Sequence, residues 1–168
     1  MYNNIKMDNN DDIKLNCAWD LWFHHTLDDW TIGGYRKIHT ITTVGQFWVF
    51  FNNLSCIGGI NNMHYFLMRQ GITPIYEDVK NRFGGTWSML TTPDDAYKTW
   101  IFLAARMIGE TLVDDSTSIT GLSINIKSGM SVLKLWNNNK SQSNVSQLPG
   151  DIPQLKSSII YRNHKLTY

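Results

Sequence analysis

A chain of 168 residues with 42% hydrophobic side chains is long enough to bury one substantial core, and one domain is expected over residues 13–168. A formal net charge of +1 excludes broad electrostatic attachment to nucleic-acid backbones, while seven Trp, seven Tyr and seven Phe leave recognition of a small piece of nucleic acid open. No apolar run approaches the roughly eighteen residues of a membrane span and no signal peptide opens the chain, so a soluble, intracellular protein with no membrane partner is expected.

Residues 1–12 are polar and Asn/Asp-rich and are expected to form a disordered tail. From Leu15 to Phe23 the pattern alternates, with Leu15, Cys17, Trp19, Leu21 and Phe23 on one face of a strand and Trp22 on the other. Cys17 and Cys56 do not form a metal spacing and are expected to be reduced. His24 and His25 lack a third ligand at a metal spacing, so no metal or cofactor is implied. Trp30 follows two aspartates in a polar loop and precedes Gly33 and Gly34, which gives it no evident core to enter.

A second strand is predicted over Tyr35 to Ile41. Thr43 with Gln46 three residues later is a capping-box pattern, so a helix starts there. Phe47, Phe50, Phe51 and Leu54 form its core stripe, with Val44 and Trp48 on a neighbouring face. His64 to Met68 reads as a strand. The stretch Ile75 to Trp87 then places Tyr76 beside Glu77 and Asp78, follows with Lys80 and Arg82, and closes on Gly84, Gly85 and Trp87. Pro74 enters it from an extended or turn conformation, and the glycines allow a sharp bend. An aromatic face beside a carboxylate on one loop suits a flat heterocycle: the ring stacks on a base and the carboxylate accepts from its edge. Asp78, Lys80 and Arg82 read as a solvated turn.

Thr86 to Leu90 continues as a strand. Thr92, Pro93, Asp94 and Asp95 start a second helix, with a cap, a first-turn proline and acids at the positive end of the dipole. Its inward face is Ala96, Trp100, Leu103, Ala104 and Met107. Ile101, Phe102, Ala105 and Ile108 extend the apolar surface, and Gly109 ends the pattern. Ile119 to Trp136 reads as a β-hairpin turning at Ser128–Gly129, with Lys127 at the turn and Lys134 and Trp136 on one face. Asn137 to Pro149 is expected to be irregular, and Ser157 to Tyr161 a last short strand. The order β-β-α-β-β-α-β-β predicts an α+β fold with an antiparallel sheet and helices on one side. Trp19, Trp22, Trp87 and Trp100 lie on periodic apolar faces and are expected to be core or scaffold.

The ordered set WDLWF at Trp19, loop Trp30, TVGQFWVFFNNL from Thr43, GITPIYEDVKNRFGGTW from Gly71, IGE at Ile108 and the closing Trp136 resembles the eukaryotic initiation factor 4E family over about Leu15 to His164. The resemblance implies a single domain with a strongly curved antiparallel sheet, helices on the convex face and a pocket for the 7-methylguanosine cap of mRNA on the concave face. It implies that Trp30 and Tyr76 sandwich the methylated guanine, Glu77 accepts its N1–H and N2–H, Trp136 contacts the N7-methyl and Lys127 contacts the phosphates. It also implies a cytoplasmic, monomeric translation factor whose partners are capped mRNA and either an initiation factor 4G-like scaffold or a 4E-binding repressor helix. Such a helix would dock on Val44, Trp48, Ile101, Phe102 and Ala105.

The chain departs from the family pattern in ways that matter. The second plate is Tyr76 where Trp is usual, and Thr86 stands where an Arg precedes the tryptophan. Val132 occupies the place of a second hairpin lysine, although Lys134 lies two residues on along the same face. Phe102 replaces an acid on the partner side. An Asn-rich, compact member of this kind fits an AT-rich genome, viral or parasitic. Three functions follow: a cap-binding initiation factor acting through a scaffold, a cap-binding repressor that recruits none, or a cap or nucleotide hydrolase. The last lacks a carboxylate pair, a His cluster or a Gly-rich phosphate loop near the stacking residues.

Overall fold

In the computed structural model the described residues are 13–26, 28–54, 64–126, 129–152 and 159–165. The tail expected over residues 1–12, Cys56, and Lys127 and Ser128 at the hairpin turn lie outside them.

Alternation over Lys14–His24 makes this segment β1 and decides which layer each side chain enters. Trp19 and Leu21 are fully buried on the face that meets the helices, with Leu15, Cys17 and Phe23 packed beside them. Trp22 points the other way, into a separate cluster with Phe66, Met68, Ile72 and Trp136. β1 pairs with β2 (Tyr35–Thr43) and with β3 (His64–Arg69). β3 pairs with β5 (Ile119–Ile126), β5 with β6 (Ser131–Asn137), β6 with β4 (Gly85–Thr91) and β4 with β7 (Ile160–Asn163). Every pairing is antiparallel, and the spatial order is β2-β1-β3-β5-β6-β4-β7. The β1–β2 and β5–β6 pairings carry register shifts, breaks in the ladder of the kind that bend a sheet.

Two α-helices cover the convex face among the described residues. α1 (Val44–Asn52) starts at Thr43, whose hydroxyl accepts from the Gln46 amide at 3.2 Å. Gln46 Oε1 accepts in return from the amide and hydroxyl of Thr42, one residue before the cap. α2 (Pro93–Ile108) starts at Thr92, which accepts from the Asp95 amide at 3.1 Å. Phe47, Phe51, Ala96, Trp100, Leu103, Ala104 and Met107 are buried between helices and sheet. A fully buried side chain of the Phe or Leu kind contributes about 1.5–3 kcal/mol, so the helix-side layer holds most of the apolar stabilisation.

Several strands run slightly past the bounds read from the sequence. The last strand among the described residues is Ile160–Asn163, paired with Gly85–Ser88, so it runs past the expected end at Tyr161; Ser157 and Ser158 lie outside the described residues. Gly109 ends α2 as expected, with an ordinary φ of −82°, and the left-handed turn falls on Glu110 at φ 55°.

Candidate functional site

On the concave face, a cavity of about 420 Å³ is lined by Trp30, Tyr35, His64, Phe66, Pro74, Ile75, Tyr76, Glu77, Ser123, Lys134, Trp136 and Lys165. That size falls among small-ligand sites, typically about 300–1,000 Å³. Trp30, Tyr76, Glu77, Lys134 and Trp136, five of the residues expected to hold the ligand, meet here from two loops and β6.

The Trp30 loop is shaped by Asp29. Its Oδ1 accepts from the Thr31 amide at 2.9 Å and the Thr31 hydroxyl at 2.6 Å. These two donors hold the Asp29 carboxyl below its usual pKa. The Gly34 amide then donates to Thr31 O, and the Gly34 carbonyl accepts from His25. A Cβ on Gly34 would stand 1.8 Å from the Asp29 carbonyl oxygen, so only glycine closes this turn. The result is a tied loop that presents Trp30 with 55% of its surface exposed.

The Tyr76 loop is held from within. Asn81 is fully buried and its amide donates to the carbonyls of Thr73 and Ile75, both at 2.9 Å. Asp78 corrects the expectation of a solvated turn: one oxygen accepts from the Thr73 amide and hydroxyl at 2.8 and 2.6 Å, the other from the Lys80 amide. Lys80 and Arg82 are exposed, as a turn requires. A Cβ on Gly84 would meet the Asn137 carbonyl oxygen at 1.8 Å, which fixes the exit of the loop against β6. Glu77 stands exposed at the cavity rim.

The floor is aromatic. Trp136 is buried, and its indole N–H donates to Ser123 Oγ at 3.1 Å, which fixes the ring in plane. Its centroid lies 5.0 Å from that of Tyr76. Tyr35 meets Phe66 edge-on at 5.3 Å. Burial raises the Tyr35 phenol above its usual pKa, with Tyr76, Glu77 and Asp29 adding to the effect, so it stays neutral. The cavity therefore offers π faces, the carboxylate of Glu77 and an ammonium beside Tyr76.

That ammonium is Lys134. Its Nζ donates to the Tyr76 hydroxyl at 3.1 Å and lies 5.9 Å from the centre of the ring. Beyond it runs a second groove lined by Tyr76, Thr86, Ser88, Lys134, Arg162, Asn163 and Lys165, which shares Tyr76, Lys134 and Lys165 with the cavity. Thr86 and Arg162 are direct partners across β4 and β7. A guanidinium thus stands on the strand beside Thr86, next to the position that carries no charge. Lys127 lies outside the described residues.

On the convex side, Trp48 is 41% exposed on α1 with Val44 half-buried, and Ile101, Phe102 and Ala105 are half-buried on α2. The Arg106 guanidinium covers the Phe102 ring at 4.8 Å and pairs with Asp151 at 3.0 Å. Sequence reading missed the part played by Arg106, as it missed those of Asn81, His24 and His164 behind the site. Only His24 carries a sequence signal, a titratable ring shortly before an aromatic loop, and its meaning depends on contacts that spacing does not reveal.

A family model described as eukaryotic initiation factor 4E matches residues 14–168. The chain is 25% identical over 155 residues to eukaryotic translation initiation factor 4E-3 of Caenorhabditis elegans, covering 86% of this chain and 61% of that protein. Its fold matches the complex of the same worm's initiation factor 4E-3 with the 4E-binding protein Mextli and a cap analogue, at a TM-score of 0.76, 22% identity and coverage of 90% and 92%. It also matches Ascaris suum initiation factor 4E-3 in complex with an m2,2,7G cap, at a TM-score of 0.72, 24% identity and coverage of 93% of each chain. At these identities the structural likeness shows a shared fold. The chain spans about three fifths of the length of the two curated nematode relatives 4E-3 and 4E-5.

Proposed function

This chain belongs to the eukaryotic initiation factor 4E family, and from that premise we propose that it binds the 7-methylguanosine cap of mRNA on its concave face. The observation that carries the reading is the meeting of Trp30, Tyr76, Glu77 and Trp136 in one cavity, from separate parts of the chain. Methylation at N7 makes guanine cationic, and a cation over an aromatic face gains about 0.5–2 kcal/mol beyond stacking. Stacking itself contributes about 1–3 kcal/mol per base. Glu77 at the rim accepts from the base edge, a charge-assisted bond of about 1.5–3 kcal/mol. Together these favour methylated over plain guanine.

The triphosphate leaves the cavity past Lys134 into the groove of Arg162 and Lys165. Arg162, across from Thr86, supplies from β7 the charge that β4 lacks. On the convex face, the exposed Trp48 with Val44, Ile101, Phe102 and Ala105 supports docking of an amphipathic helix from an initiation factor 4G-like scaffold or a 4E-binding repressor. Through the scaffold the protein recruits capped mRNA for translation in the cytoplasm, of the host if the chain is viral. It binds without turning its ligand over.

The test is retention on immobilised 7-methyl-GTP with elution by free 7-methyl-GTP and not by GTP, followed by identification of co-retained proteins. Cap dinucleotide incubated with magnesium should be recovered intact. Passage through the column, or elution by GTP at equal concentration, would count against the reading.

A further inference from the structure

Each aromatic plate is stacked on a histidine. His24 lies parallel to Trp30, with 4.2 Å between ring centroids and 14° between planes. His164 lies parallel to Tyr76 at 4.5 Å and 15°. Both imidazoles are only 9% exposed, and neither lines the cavity. Each therefore covers one face of its plate and leaves the other to a ligand. Each is also tied to the loop that carries the plate. His24 Nε2 meets the Asp29 carbonyl oxygen at 2.8 Å, one residue before Trp30. His164 Nδ1 meets the Asn81 carbonyl oxygen at 2.7 Å, inside the Tyr76 loop. A carbonyl only accepts, so these two ring nitrogens carry the proton and the tautomer is set at both places. The other nitrogen of His164, Nε2, is buried with no hydrogen-bond partner among the described residues.

We infer that His24 and His164 are positioning residues for the two plates: each holds its ring from behind, and His164 as a neutral imidazole keeps the free face of Tyr76 electron-rich toward a cationic base. This rests on the reading that the ligand base carries positive charge. A cation is drawn to an aromatic face by the ring quadrupole, and an imidazolium on the far face opposes that attraction. The groups around His164 agree with a neutral ring. Burial lowers its pKa below the ordinary imidazole value and the Lys134 ammonium adds to this, against the hydrogen bond to Asn81 and the charge of Glu77. Tyr76 and Trp136 complete its surroundings. Around His24 stand Trp30 and Asp29 from the loop, Tyr35 of β2 and His64 of β3.

The test follows the NMR titration of the His164 ring in the whole protein, alone, with saturating 7-methylguanosine and with guanosine. Neither nucleoside has phosphates, and only the first has a cationic base. By linkage, such a ligand weakens proton binding at His164 by the factor that protonation weakens the ligand. The expected effect is a roughly three- to tenfold weakening with 7-methylguanosine and none with guanosine. If 7-methylguanosine binds and the His164 titration does not move, this inference is overturned while cap binding stands. If 7-methylguanosine fails to bind at all, both fall. For His24, His24→Ala should lose roughly tenfold in 7-methyl-GTP affinity and His24→Phe, which keeps a flat ring behind Trp30, should recover most of it. An alanine variant that melts like the wild type and binds equally well would overturn the role of His24.

Discussion

At the base end of the concave site, Trp30, Tyr76 and Glu77 stand on loops whose shape is set by internal hydrogen bonds, several of them part-buried. At the phosphate end, Lys134, Arg162 and Lys165 reach one groove from three positions, on half-buried or exposed side chains. Stacking needs a ring placed within a few tenths of an ångström, so each plate requires a rigid loop and a backing ring. Coulomb attraction falls off slowly with distance, so a guanidinium can act from β7 as well as from β4. The base end is therefore bound to particular residues, and the phosphate end to a net charge within reach.

The largest break of this contrast comes from the plates. Trp30→Ala or Glu77→Ala should reduce 7-methyl-GTP affinity on the order of 100-fold by fluorescence titration, since either removes a term of about 1.5–3 kcal/mol and disorders its neighbours. Neither change touches the helix-side core, so melting temperatures should stay close to wild type. Asn81→Ala comes next. It removes the side-chain donor shared by the part-buried carbonyls of Thr73 and Ile75, which keep only the backbone amides of Ile75 and Asp78. A cost of about 1–3 kcal/mol in stability is expected, with loss of cap affinity that exceeds the loss of fold.

Smaller effects belong to the phosphate end. Lys134→Ala and Arg162→Ala should each lower 7-methyl-GTP affinity by roughly three- to tenfold and leave 7-methyl-GMP less affected, because charged hydrogen bonds are about twice as strong as neutral ones. The double variant should also flatten the salt dependence of binding. If neither residue matters while affinity still rises steeply with phosphate number, the groove has been misread and Lys127 becomes the next group to change. A fourth effect is on stability. Because the His164 pKa is lowered from 6.5, its contribution is present above about pH 6.5 and is lost as pH falls toward the folded value. Thermal melts of the free protein from pH 7.5 to 5.5 should show that loss, and His164→Phe should reduce it.

The smallest expected effect on the site is that of Trp48→Ala, since the ring is 41% exposed on the opposite face. It should lose the helix partner while keeping cap affinity and most of its stability. A Trp48→Ala protein that unfolds would place the ring in the core instead.

Much of this was legible in the sequence where local chemistry and periodicity agree. The caps at Thr43 and Thr92, the alternation of Trp19 and Leu21 against Trp22, and the loop positions of Trp30 and Tyr76 all follow from patterns within about ten residues. What was not legible depends on register between distant strands. Arg162 becomes a neighbour of Thr86 only through the β4–β7 pairing, which no local pattern specifies. Asp78 reads as solvated because its donor, Thr73, lies across a turn that no spacing rule specifies. His164 reaches Tyr76 from the far end of the chain.

The central claim is that this cavity selects a cationic, methylated guanine. Its most direct measurement is a pair of titrations of the full chain at one pH and ionic strength, with 7-methyl-GTP and with GTP, read by intrinsic tryptophan fluorescence. Quenching by 7-methyl-GTP is expected, with at least roughly tenfold tighter binding than GTP, from the cation–π contribution of the two plates. Equal affinities for the two nucleotides would contradict it.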